Sequence, residues 1–180
     1  NYPLVNYSTR PASLANTKYP MAGMESEVVS IGIYTVGKEG VTYLKTDGPI
    51  DQYLTSVSWG PKSKFVYVGH LNRDQNDFHM KKYVAKSGEL ETEIFNETDE
   101  QYVHPMHNLE FIGKEEFLWL SEKSGLNQFY VYNGSGQVNW HINTADILVQ
   151  SFVSYHPGSK KLWFLGNHKN KIDKHLFEVV

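Results

Sequence analysis

The chain has 180 residues, a net charge of −3 and 40% apolar content, with 9 Phe, 4 Trp and 12 Tyr. That is enough apolar and aromatic side chain to fill a core, which excludes global disorder, and the mild acidity argues against nucleic acid as a general electrostatic partner. With no cysteine, disulfides, thiolate nucleophiles and Cys-based zinc sites are also excluded.

Along the chain, apolar clusters alternate or run for a few residues before Gly, Pro, Asn, Asp or Lys interrupts them. This is the pattern of short half-buried strands, and no sustained helical period competes with it. Strands are predicted over Leu4–Tyr7, Val28–Val36, Val41–Lys45, Leu54–Trp59, Phe65–His70, Met80–Ala85, Thr92–Phe95 and Leu109–Ile112. The second half continues with Phe117–Ser121, Gln128–Tyr132, Val138–Ile142, Ser151–Tyr155, Leu162–Leu165 and Leu176–Val180. Thr9–Pro20, with two prolines among small polar residues, is expected as a loop, as is Leu71–Asp77. The fold class is therefore all-β.

Gly40, Gly88 and Gly136 recur every 48 residues, each between two predicted strands. A glycine there supplies the positive φ that a short hairpin turn requires. Three segments also share one shape, a strand pair about a polar turn: Val57–Tyr67, Leu109–Trp119 and Val153–Trp163. Their terminal aromatics Tyr67, Trp119 and Trp163 average the same spacing. A repeat of roughly 40–50 residues holding four short strands is the mark of a propeller blade, which must stack on its neighbours to bury both faces. At this spacing 180 residues amount to 3.75 repeats, and the next turn glycine would fall at position 184. The expectation is a β-propeller fragment of about three to four four-stranded antiparallel blades, an arc of a larger ring spanning 1–180. Closure of a small ring through Leu4–Tyr7 is the competing arrangement.

The stretches Tyr19-Pro-Met-Ala-Gly23 and Pro3-Leu-Val-Asn-Tyr7 resemble the propeller of the dipeptidyl peptidase IV family. Trp59, Leu71-Asn-Arg-Asp-Gln-Asn76, Phe117-Leu-Trp-Leu-Ser-Glu122 and Gly125-Leu-Asn-Gln-Phe-Tyr-Val-Tyr132 follow in the order expected of bacterial members. Met21 stands where Lys is usual, Ser26-Glu27 where Asn-Pro is, and Leu126-Asn-Gln128 where an aromatic-Asn-His run is. The resemblance implies an eight-bladed propeller ahead of an α/β-hydrolase domain with a Ser-Asp-His triad. A Glu pair and an Arg would hold the free amino end of the substrate. Aligned so, the chain begins after the Glu pair and stops before the hydrolase. It would be a non-catalytic wall of the chamber of a serine exopeptidase that removes N-terminal dipeptides, often after proline. Its partners would be the hydrolase domain and remaining blades of the same polypeptide, together with peptide substrates, and no cofactor is implied. One substrate-cleft segment falls inside, at Tyr102-Val-His-Pro105. There Val103 and His104 take the places of an aromatic and a basic residue. By the same analogy the parent would be periplasmic or extracellular.

The residues offer little chemistry of their own. Asn133-Gly-Ser-Gly-Gln137 lacks the outer glycines of a nucleophile elbow and falls at a predicted hairpin tip, so it reads as a turn. His104-Pro-Met-His107 has a three-residue spacing, but Pro105 breaks any helix that would align the two rings. His168, Asp173 and His175 have ligand character in a setting of Lys169, Lys171 and Lys174 that repels a cation. Asp47, Asp51, Asp99, Glu100 and Asp146 would serve a glycosidase only if two of them faced one pocket about 5–9.5 Å apart. The polar loop Asn72–Asn76 reads as a turn closed by Asx side chains. The alternative function is a stand-alone propeller that binds protein or glycan ligands.

Overall fold

The computed structural model describes residues 2–21, 23–105, 107–142, 146–168 and 172–180. Apart from one 3-10 turn at Pro61–Ser63, its regular elements are antiparallel strands. A hairpin of β1 (Tyr2–Asn6) and β2 (Ser13–Thr17) is followed by a second pair, β3 (Gly32–Tyr34) and β4 (Val41–Tyr43). Two four-stranded meanders come next: β5 (Tyr53–Trp59), β6 (Phe65–Leu71), β7 (Asp77–Val84) and β8 (Leu90–Thr98), then β9 (Glu110–Phe111), β10 (Phe117–Ser121), β11 (Gln128–Tyr132) and β12 (Val138–His141). The last sheet has three strands, β13 (Ile147–His156), β14 (Lys161–His168) and β15 (His175–Val179). The expected unit, four strands in chain order, is thus present twice in full. Gly40 turns β3 into β4 as Gly88 turns β7 into β8 and Gly136 turns β11 into β12, all with φ between 73° and 87°. The pair β3–β4 therefore occupies the outer half of a preceding blade.

Successive side chains of a strand point to opposite faces, so a strand inside a stack of sheets must be apolar on both. Strand β10 shows this: Phe117 and Trp119 pack toward the blade β5–β8, while Leu118 and Leu120 pack toward β13–β15. Three clusters result, one in each gap between successive sheets. Leu44, Val66, Val68 and Tyr83 fill the first gap. The second is largely aromatic: Phe78 stacks on Trp119 with centroids 5.2 Å apart, and Phe95 on Tyr132 at 4.5 Å. Val131, Val149, Leu162 and Phe164 fill the third. Offset aromatic pairs add about 0.5–1.5 kcal/mol each beyond their burial.

Three expectations change. Ser13–Thr17, within the stretch read as loop, is a strand in register with β1 from Tyr2↔Thr17 to Asn6↔Ser13. Its small polar residues pair because both faces of this hairpin are exposed, so no apolar alternation is needed to hold it. For the same reason β1 does not close a ring; its partner is β2. Val28–Val36 shortens to Gly32–Tyr34, with exposed Val28 and Val29 outside the strand. The third change concerns the aromatic landmark. Trp59 pairs with Val66 and Tyr155 with Leu162, seven positions on, but Phe111 pairs with Phe117, six on. The first turn of the middle blade is one residue shorter, and a one-residue shift exchanges the faces of a strand. Trp119 therefore faces back toward the preceding blade, whereas Tyr67 faces forward. Tyr67 and Trp163 are equivalent positions, and Trp119 is not.

Candidate functional site

In the blade β5–β8 the loop between the second and third strands, and the crossing to the next blade, emerge on one face. The crossing from β8 to β9 runs there as extended chain and is fastened to the loop below it. Val103 N–H donates to the Gln75 carbonyl at 2.8 Å, and Asp99 N–H to that of Asn76 at 3.1 Å. The loop is rigid for a local reason. The Asn72 Oδ1 accepts from the backbone N–H of Asn76 (2.9 Å) and Asp77 (3.0 Å), and its Nδ2 donates to Asn76 Oδ1 at 2.7 Å. This Asx-closed turn, as expected from its composition, places Gln75 at φ 60° with its carbonyl aimed at Val103. The far end of the crossing is held by serines of the inner strand: Ser56 Oγ donates to the Pro105 carbonyl (3.2 Å), and Leu109 N–H to Ser58 Oγ (2.9 Å).

Between these fastenings, Val103–Pro105 form a ridge. Val103 is half-buried against the aromatic cluster, while His104 is exposed with its ring edge-on to Tyr102 at 6.2 Å. The ridge divides two hollows. One, about 400 Å³, is backed by Tyr53, Leu54, Leu71 and Val103. Arg73 stacks over the Tyr53 ring beside it at 5.0 Å. The other, about 380 Å³, is polar and lies between Glu97, Asp99, Tyr102, His104 and Lys123.

The wall of the polar hollow holds a charge pair. Glu97, with only 9% of its side chain exposed, accepts from Ser121 Oγ at 2.9 Å and lies 3.7 Å from Lys123 Nζ. Lys123 rests on the Tyr130 ring at 3.8 Å and donates to the Tyr132 hydroxyl at 2.8 Å. Burial raises the Glu97 carboxyl above the usual range, and Ser121, Lys123 and the Trp119 indole offset part of that rise. Burial likewise lowers Lys123, with Glu97 pulling it back. Each charge is therefore tolerated because of the other.

The residues singled out from sequence fall as follows. Val103 and His104 sit together on the ridge. Ser135 is at the tip of the β11–β12 turn, where its N–H and Oγ both bond Asn133 Oδ1, as in a capped turn. Asp47 pairs with Lys81 at 2.7 Å, and Asp99 accepts from Gln101 N–H at 2.7 Å. His168 and His175 have ring centroids 6.3 Å apart across β14 and β15. Lys169, Lys171, Ala22 and Met106 lie outside the described residues. Among the described residues no three of His, Asp and Glu gather as metal ligands would. Sequence reading missed Glu97 and Lys123, which lie 26 positions apart on different blades and meet only through the stacking of sheets.

Comparison with known proteins agrees with this architecture. A model of the dipeptidyl peptidase IV (DPP IV) N-terminal region matches residues 1–180. A crystal structure from Bacteroides ovatus ATCC 8483, assigned as a dipeptidyl aminopeptidase IV, superposes with a TM-score of 0.85 at 27% identity, over 99% of this chain and 28% of that one. The structure of Porphyromonas gingivalis dipeptidyl peptidase 4 shares the fold with a TM-score of 0.80 at 23% identity, over 98% of this chain and 25% of that one. The chain thus spans about a quarter of the length of the solved structures it matches, and it belongs to the family of dipeptidyl peptidase IV N-terminal regions.

Proposed function

We propose that residues 1–180 are a non-catalytic part of the propeller of a serine-type dipeptidyl peptidase, shaping the chamber that leads peptides to an α/β-hydrolase domain of the same polypeptide. The observation that carries this reading is the ridge Val103–Pro105, fixed at both ends and flanked by one apolar and one polar hollow. An extended peptide presents side chains to either side of its backbone, and paired hollows suit that alternation. Val103 and His104 would line the substrate path, His104 as the exposed polar group of the ridge. Export to the periplasm or the cell exterior goes with the same reading, and fractionation of cells would test it.

The direct test is release of a chromogenic amide from a Gly-Pro reporter. The full-length protein should turn it over and lose activity to a serine-directed phosphofluoridate, while residues 1–180 alone should be inert. Turnover by the isolated chain after stringent purification would overturn the reading. In the full-length protein, His104→Ala should raise KM several-fold and leave kcat little changed, because it removes binding remote from the bond that breaks.

A further inference from the structure

Strand β5 carries one residue more than β6 along part of its length: Thr55 pairs with Gly69 and Ser58 with Tyr67, three steps against two. A bulge of this kind re-aims a side chain. Ser56 lies within it, 7% exposed and with φ at 50°, a left-handed conformation that glycine adopts freely and serine does not. Strand β13 serves as an internal control, because Ser151 pairs with Leu165 and Ser154 with Trp163 in the same three-against-two pattern. Phe152 holds the place of Ser56 there, and among the described residues of β13 none has a positive φ. The bulge alone therefore does not force the left-handed backbone.

At Ser56 that backbone accompanies a bond out of the sheet. A buried hydroxyl needs a partner, and Ser56 Oγ donates at 3.2 Å to the carbonyl of Pro105, the last residue of the ridge. Ser58 Oγ donates to the Ser56 carbonyl at 3.3 Å and accepts from Leu109 N–H at 2.9 Å. The bulge is thus tied to itself and grips the crossing at Pro105 and at Leu109. At the other end, Val103 N–H meets the carbonyl of Gln75, whose φ is 60°. The ridge hangs between two left-handed residues, and Ser56 lines neither of the hollows beside it. Backbone strain persists only where the surroundings hold it, and it gathers at functional sites.

We propose that Ser56 is a positioning residue: its left-handed backbone and its hydroxyl fix the ridge at Pro105 and so set how far His104 reaches into the substrate path. The assignment rests on the peptidase reading for the substrate; the clamp on the ridge does not.

Gly-Pro reporter kinetics, thermal melts and hydrogen exchange of the ridge, on the full-length protein with Ser56→Ala or Ser56→Gly, test it. Alanine removes the hydroxyl and keeps the strain; glycine removes both. Both variants should raise KM about fivefold with kcat nearly constant, which is what one neutral hydrogen bond supplies. Ser56→Gly should do so with a Tm equal to or above that of Ser56→Ala, so binding and stability part company. Either change combined with His104→Ala should raise KM by less than the product of the single effects. The amides of Val103 and His104 should exchange faster in both variants. A KM that merely follows Tm, near wild type in Ser56→Gly and raised only in Ser56→Ala, overturns the positioning role, as does unchanged exchange at the ridge. The two claims separate on one preparation. Turnover at wild-type KM in both variants removes the role of Ser56 alone. Absence of turnover in the wild type, with faster ridge exchange in both variants, removes the peptidase reading and upholds the clamp.

Discussion

Gly136 sits against the main-chain carbonyl of Ile94, so close that a Cβ there would overlap the oxygen. Gly88 stands in the same relation to the Tyr43 carbonyl, one blade earlier, and its own carbonyl accepts from Lys45 N–H at 2.8 Å. The turn between the third and fourth strands of each blade is thus pressed onto the outer strand of the blade before it. Gly40 has the same positive φ but open space around it. Glycine recurs here for two reasons, turn geometry at all three positions and close approach of backbones at two.

Alanine scanning separates those reasons. Gly40→Ala should cost about 1–2 kcal/mol, the price of a left-handed conformation with a Cβ. Gly88→Ala and Gly136→Ala should cost roughly 1–3 kcal/mol more, since the blades must move apart. For a chain of this size Tm falls by about 2–4 °C per kcal/mol, so thermal melts resolve the difference. Three equal losses would mean that only φ matters.

The same glycines show what the sequence could convey. A turn needing positive φ is a local demand, and it left a 48-residue period that recurs at the same turn of β3–β4, β7–β8 and β11–β12. The aromatic landmark failed at Trp119 because one residue fewer in the Phe111–Phe117 turn reverses the strand face, and turn length is invisible until register is known. Ser13–Thr17 was missed since a hairpin exposed on both sides leaves no hydrophobic pattern. Val103 and His104 came from resemblance alone. Glu97 and Lys123 gave no signal, because charged residues at strand ends and in turns normally face water, and only the stacking of blades brings this pair together.

His70 predicts acid sensitivity. Its Nδ1 lies 2.7 Å from Gln52 Oε1 and its Nε2 2.8 Å from the Tyr83 hydroxyl, in the first interblade gap. Gln52 Nε2 donates to the Asp47 carbonyl, so its oxygen faces the ring and selects the Nδ1–H tautomer, leaving Nε2 to accept from Tyr83. Burial, then the Lys81 charge, lower the pKa from 6.5 to about 4. The unfolded chain binds the proton first, so the contribution is present above pH 6.5 and lost as pH falls toward 4, by about 3 kcal/mol. Chemical denaturation between pH 7 and 4 should show this slope in the wild type and a shallower one in His70→Gln. Identical slopes would mean the ring is not held neutral.

Lys123→Met should make stability more sensitive to alkali. Without the ammonium, Glu97 keeps its Ser121 bond but loses its counter-charge, and its already raised pKa climbs further. A carboxyl with a raised folded pKa contributes stability that is complete below its unfolded value of 4.5 and disappears as pH rises through the folded value. The variant should therefore approach wild-type stability near pH 5 and fall short by about 3 kcal/mol at pH 8, the usual cost of stranding a buried charge. Glu97→Gln added to Lys123→Met should recover much of the loss at pH 8. A deficit independent of pH would show that Lys123 acts through its packing on Tyr130 and not through charge.

Asn72→Ala tests whether the ridge depends on the loop beneath it. Asn72 does not line either hollow, yet its side chain makes three of the bonds that fix Asn72–Asn76, and that loop supplies the Gln75 carbonyl which holds Val103. Loss of the Asx closure should cost about 1–2 kcal/mol in stability, as loss of a comparable helix cap does. If Val103 and His104 line the substrate path, the same change should raise KM for the Gly-Pro reporter with kcat nearly constant, as His104→Ala does. Asn72→Asp, which keeps the acceptor oxygen, should restore KM in large part. The mechanism is positional, so His104→Ala combined with Asn72→Ala should raise KM by less than the product of the single effects. Independent, multiplicative effects would place Asn72 outside the chain of contacts that runs from the loop to the ridge.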